Sequence, residues 1–178
     1  IMRVTPIPIA FHFDLEKGVK FAGEQSFCTH DGEEAAECCR LLTYLAIKGL
    51  NHKEKGFNVA KEILDLAGKE FESSVVSVDF LAKSLKETDF TRYEVDTKKL
   101  DDRKNLNKSL EDRNWDWKDE KFGYSAYRIQ QRKNLIGIYV MDCVAMALHI
   151  LYHNEGFNNC VLKAVNLGGD ADSLGGVT

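Results

Sequence analysis

Apolar residues recur at spacings of three and four along most of the chain, and strict alternation of apolar with polar residues is scarce, so the pattern predicts helices throughout. In "EEAAECCRLLTYLAIKGL" (33–50) this spacing places Ala35, Cys38, Cys39, Leu42, Leu45 and Ala46 on one inward face. Asp31 followed by Glu34 fits a capping box at its start, and Gly49 can end it. Phe57, Ala60, Ile63, Leu64 and Ala67 repeat the spacing, as do Val75, Val78, Leu81, Ala82 and Leu85, which predicts two surface helices. Residues 138–152 are apolar on nearly every side, the pattern of a helix in the middle of a bundle. After a turn at Asn154 to Gly156, Phe157, Val161, Leu162 and Val165 mark a last amphipathic helix. Between these patterns, about 88–131 is highly charged, holds both tryptophans and lacks sustained periodicity, so it reads as a long loop or insertion. The whole, 1–178, reads as one all-α domain without internal repeats.

Composition narrows the function classes. With 44% apolar residues in 178, one sizeable core is affordable. The formal charge of −4 comes from interspersed acids and bases, which argues against nucleic acid or an anionic membrane surface as partner and favours a small ligand or a metal. The longest apolar block, 135–151, contains Asp142 and His149 and is too short and polar to span a bilayer. Five cysteines, an odd number without metal-type pair spacing, are expected reduced and mostly in the core, as in a cytoplasmic protein.

The most distinctive chemistry lies in "VNLGGDADSLGGVT" (165–178). Gly168 and Gly169 suit backbone angles that other residues avoid, and Asp170 or Asp172 could simply cap the helix that follows. A phosphate-cradling loop is a second reading, but this one lacks a lysine, and two bare carboxylates would repel a phosphate unless a cation lay between. A third is a hard divalent-metal site in which Asp170, Asp172 and the Ser173 hydroxyl offer only oxygen, favouring Mg²⁺, Mn²⁺ or Ca²⁺ over zinc. An EF-hand fits poorly, because Leu174 stands at a ligand position.

Four stretches in order, "MRVTPIPIAF" (2–11), "TH" (29–30), "IGIYVMDCVAMALHILY" (136–152) and "AVNLGGDADSLGG" (164–176), make the chain resemble the ADP-ribosylglycohydrolases. The resemblance covers the two ends well and 50–110 hardly at all. It implies an all-α orthogonal multi-helix bundle, a centre of two Mg²⁺ or Mn²⁺ ions, and hydrolysis of the glycosidic bond joining ADP-ribose to an acceptor, a protein side chain or a small molecule. Carried over by motif, Asp170, Asp172 and Ser173 are metal ligands, and Gly168 and Gly169 let backbone approach the substrate. His30 is placed on the substrate side, and Gly137, Ile138 and Tyr139 line the nucleoside pocket. The tryptophan-bearing stretch resembles an insertion of one branch of the family, with a lid or surface packing as its role.

The family's early Gly-Asp element, its water-activating glutamate and its Thr-Asp-Asp cluster have no counterpart in these residues. The bundle is therefore expected to be incomplete and the catalytic acid to lie upstream, leaving these 178 residues weak or inactive alone. The alternative is a non-catalytic relative that binds ADP-ribose or serves structurally, as crystallin-like members do. A monomer is expected. Arg3 is assigned to a structural ion pair, and Asp142 and His149, seven residues apart, to polar satisfaction inside the core.

Overall fold

The computed structural model describes residues 1–54, 56–86, 115–122 and 139–178. Among them are eight α-helices and no extended sheet: α1 (Pro6–Ala10), α2 (Leu15–Phe27), α3 (Glu33–Asn51), α4 (Phe57–Glu70), α5 (Val76–Lys83), α6 (Val140–His153), α7 (Phe157–Asn166) and α8 (Ala171–Val177). Most of the expected charged insertion, together with Gly137 and Ile138, lies outside the described residues.

The centre is built from α3 and α6. From α3, Cys38, Leu41 and Tyr44 meet Met141, Val144, Ala145 and Leu148 of α6, joined by Leu64 and Ala67 of α4 and Val78, Phe80 and Leu81 of α5. Having neighbours on several sides, α3 buries Ala36, Glu37 and Thr43 as well as its apolar stripe. Leu42, Leu45 and Ala46, expected fully inside, are half-buried because they line an apolar cavity of about 310 Å³ shared with Ile1, Ile63 and Leu148. The pattern does not single out α2, whose buried positions are Gly18, Ala22, Gly23 and Ser26. These residues let it lie close against α3: a Cβ on Gly18 would come within 2.6 Å of Ile47 Cδ1.

Several local expectations are corrected. There is no capping box before α3: Gly32 occupies the cap position without a side-chain bond, and Glu34 instead accepts from the hydroxyls of Tyr139 and Ser77. The side-chain cap lies one helix earlier, where the Asp14 carboxylate accepts from the Lys17 amide at 3.1 Å. Helix α5 is no surface helix, since Ser77 to Ala82 are all buried, and it stops before Leu85 because Ser84 turns left-handed at φ 58°. Arg3 is exposed and makes no ion pair among the described residues. In α7 the expected apolar face is turned out, with Phe157 79% and Leu162 57% exposed. Its small residues Cys160 and Ala164 make the packed face against α6 and Leu174 instead.

The tryptophans are core residues, not a lid or surface packing. Trp115 and Trp117 are 2% and 1% exposed. Trp117 Nε1 donates to the Leu81 carbonyl at 2.6 Å, and its ring meets Tyr152 edge-on at 5.4 Å. Lys118 pairs with Asp65 at 2.5 Å, so this short segment pins α4, α5 and α6 together.

Candidate functional site

The Gly-Asp bend is shaped by its two glycines. Gly168 and Gly169 have φ of 74° and 69°, the left-handed region that side chains resist, and they reverse the chain between α7 and α8. Leu174, fully buried against Cys143, Met146, Ala147 and Ile150, anchors α8 into the notch between α6 and α7.

Asp170 stands at the N-cap position of α8, yet its side chain makes no capping bond. The cap explanation of its carboxylate therefore fails, although its carbonyl accepts from the Leu174 amide at 3.2 Å. Asp170 and Ser173 are half-buried and Asp172 is exposed. Asp170 also lies within electrostatic reach of Cys143 in the first turn of α6. Burial first, then the Asp170 charge, push the Cys143 thiol up to about 12. That thiol is no nucleophile at neutral pH.

Tyr139 opens the same turn of α6. Its hydroxyl donates to Glu34, whose other carboxylate oxygen accepts from Ser77 at 2.6 Å. One turn of α6 thus separates Tyr139, facing the start of α3, from Cys143, facing the bend. His30 lies four residues before Glu34 and is exposed, its Nδ1 3.0 Å from the Thr29 hydroxyl. Among the described residues its ring bonds neither to a carbonyl, as that of an ordinary helix-end histidine would, nor to any residue of the bend. The first turn of α6 thus carries the Tyr139–Glu34 bond at its start and has Asp170 within electrostatic reach of Cys143 at its end.

Asp142 is buried at 5%, and the Nδ1 of His149 lies 2.9 Å from the Trp117 carbonyl, satisfied inside the fold as expected. Burial holds the His149 imidazole below its ordinary pKa. The sequence reading missed two features. Glu34, taken for a capping residue, carries the link to Tyr139, which nothing in its spacing reveals. His153 stands four residues from His149, and their rings lie 4.5 Å apart; the "HILYH" spacing was the available signal.

As a test of fit for divalent ions, the bend supplies hard oxygen donors, and the Asp170 carboxylate is not consumed by a cap. Among the described residues, however, no three His, Cys, Asp or Glu side chains form a ready metal cluster. The donors suit Mg²⁺ or Mn²⁺ in kind.

Fold and bend together define an all-α protein with an acidic, glycine-shaped turn packed against a buried central helix. The ADP-ribosylglycohydrolase family matches residues 1–178, and the chain belongs to that family. An uncharacterized protein of Archaeoglobus fulgidus is 24% identical over 176 residues, 99% of this chain and 45% of that protein. The chain thus spans less than half the length of this relative. No solved structure matches significantly. No helix among the described residues is long and apolar enough to cross a membrane.

Proposed function

We propose that this chain carries one part of the active centre of a metal-dependent hydrolase that cleaves the glycosidic bond between ADP-ribose and an acceptor, a modified protein side chain or a small molecule. The observation that carries this reading is the Asp170 carboxylate: half-buried, on a doubly left-handed glycine turn, beside the first turn of α6 and not spent on a cap. Asp170, Asp172 and the Ser173 hydroxyl would hold Mg²⁺ or Mn²⁺, two ions in the complete centre. Bound there, the ions supply positive charge that offsets the aspartates beside a diphosphate and lower the pKa of a bound water.

The chain's own residues bind and orient. Gly168 and Gly169, lacking Cβ atoms, leave room for a ligand against the backbone. Tyr139, held by Glu34, offers a fixed aromatic wall for a nucleoside, with Gly137 and Ile138 before it in sequence. His30, exposed at the end of α2, is assigned to the substrate side. In the net reaction a water oxygen bonds to the anomeric carbon as the bond from that carbon to the acceptor breaks, and the acceptor leaves with a proton. The carboxylate that takes the water's proton as general base is assigned outside these 178 residues, so the chain alone is expected to turn over weakly or not at all. The active unit is proposed as a monomer in the reducing cytoplasm, where its free cysteines persist, with neither nucleic acid nor membrane as partner.

A second reading, a relative that binds ADP-ribose without hydrolysing it or serves only structurally, draws on the lack of a three-ligand cluster among the described residues. Calorimetry with ADP-ribose, with and without Mg²⁺, tests both. Mg²⁺-dependent binding lost in Asp170→Ala supports the metal-assisted site, binding indifferent to Mg²⁺ supports the second reading, and no binding in either condition supports a structural role.

A further inference from the structure

Away from the bend, His149 and His153 sit one turn apart on α6, so both imidazoles leave the same face. Their ring centroids are 4.5 Å apart, and they open on a cavity of about 660 Å³ between α6, α7 and the 115–122 segment. A carbonyl oxygen can only accept, so the Trp117 carbonyl at 2.9 Å fixes the proton of His149 on Nδ1 and leaves a lone pair on Nε2. The Nε2 of His153 is buried and has no hydrogen-bond partner among the described residues. A buried imidazole nitrogen without a partner is costly, and nothing in the glycohydrolase reading uses it.

We propose that this face binds a transition-metal ion of borderline softness, Zn²⁺, Ni²⁺ or Cu²⁺, through the Nε2 atoms of His149 and His153. Two histidines at i and i+4 on one helix face can hold such an ion. The Trp117 carbonyl behind His149 occupies the place of the acceptors that orient metal-bound imidazoles. Glu120 lines the same cavity, and it or water fills the remaining positions. Lys163 lines the cavity too. Its charge opposes any cation, so affinity rests on neutral nitrogen, which selects against Mg²⁺ and Ca²⁺. With two protein nitrogens and no three-ligand cluster among the described residues, the site is open and exchangeable. It is independent of the oxygen donors at Asp170 and Asp172.

The test is calorimetric titration of ZnCl₂ into the chain carrying Cys28→Ser, because the exposed Cys28 thiol is a competing soft ligand. One Zn²⁺ per chain is expected, weakened about tenfold or more by His149→Ala and by His153→Ala and unchanged by Asp170→Ala with Asp172→Ala. Electron paramagnetic resonance of bound Cu²⁺ on the chain with both histidines intact provides a readout free of folding artefacts, and nitrogen ligation is expected. Absence of Zn²⁺ binding, an oxygen-only Cu²⁺ spectrum, affinity indifferent to both histidine substitutions, or loss on changing the aspartates would each overturn the proposal.

Discussion

Asp14 shows how a single side chain starts an element. Its carboxylate takes the Lys17 amide, and that backbone bond first, then the lysine side chain, hold its pKa below the usual carboxylate value. The sign follows: a depressed folded pKa gives stability that is present above the unfolded value of about 3.9 and lost as pH falls through the lower, folded one. Asp14→Ala should lower stability in urea denaturation at neutral pH, with the difference from the unsubstituted chain shrinking in acid. A constant difference down to the acid limit would rule out the cap. Glu34 makes a comparable case in the interior: Glu34→Ala strands the Tyr139 and Ser77 hydroxyls and should cost about 1–3 kcal/mol, with Tyr139→Phe in the Glu34→Ala background adding little. Additive losses would mean that the two side chains do not act through each other. Of this residue-level chemistry, the glycines of the bend were legible in the sequence, because left-handed turns leave a compositional mark. The partners of Glu34 and Asp14 were not, since one acidic residue near a helix start looks like another until tertiary neighbours choose between them.

Helix periodicity was readable wherever large apolar residues mark the buried face, as along α3, α4 and α6. It failed for α2, which packs through Gly18, Ala22 and Gly23, and it misled for α7, where Cys160 and Ala164 pack while Phe157 and Leu162 face outward. Small residues allow close approach but leave a weak hydrophobic signal. The tryptophan segment escaped for another reason: Trp115 and Trp117 stand among charges, and only the tertiary fold turns Asp116 and Lys118 outward towards Lys86 and Asp65. Trp117→Phe should keep the ring packing but remove one of two donors to the Leu81 carbonyl, which retains the Ser84 amide at 3.2 Å, costing about 0.5–1.5 kcal/mol by chemical denaturation. Tryptophan emission of the folded chain should be blue-shifted from that of free indole, and a water-like spectrum would place the indoles outside the core.

Across the whole molecule, the acidic bend is only as well placed as the packing beneath it. Leu174, buried between α6 and α7, carries that load for α8. Leu174→Ala should cost about 2–5 kcal/mol and raise hydrogen exchange in α8 before α3. Equal protection in both helices would show the bend held by something else. The all-α class and the acidic turn were visible in the sequence because each rests on local pattern. The Tyr139–Glu34 bond and the approach of Asp170 to Cys143 were not, because both are products of long-range packing. The central claim, that Asp170 and Asp172 serve ADP-ribosyl hydrolysis, is tested most directly in protein expressed from the complete reading frame, by measuring release of ADP-ribose from an ADP-ribosylated acceptor with Mg²⁺ or Mn²⁺ present. The account predicts release by the unsubstituted protein and its loss by about a hundredfold or more in Asp170→Ala with Asp172→Ala, with the fold retained; release at an unchanged rate in that double variant would contradict it.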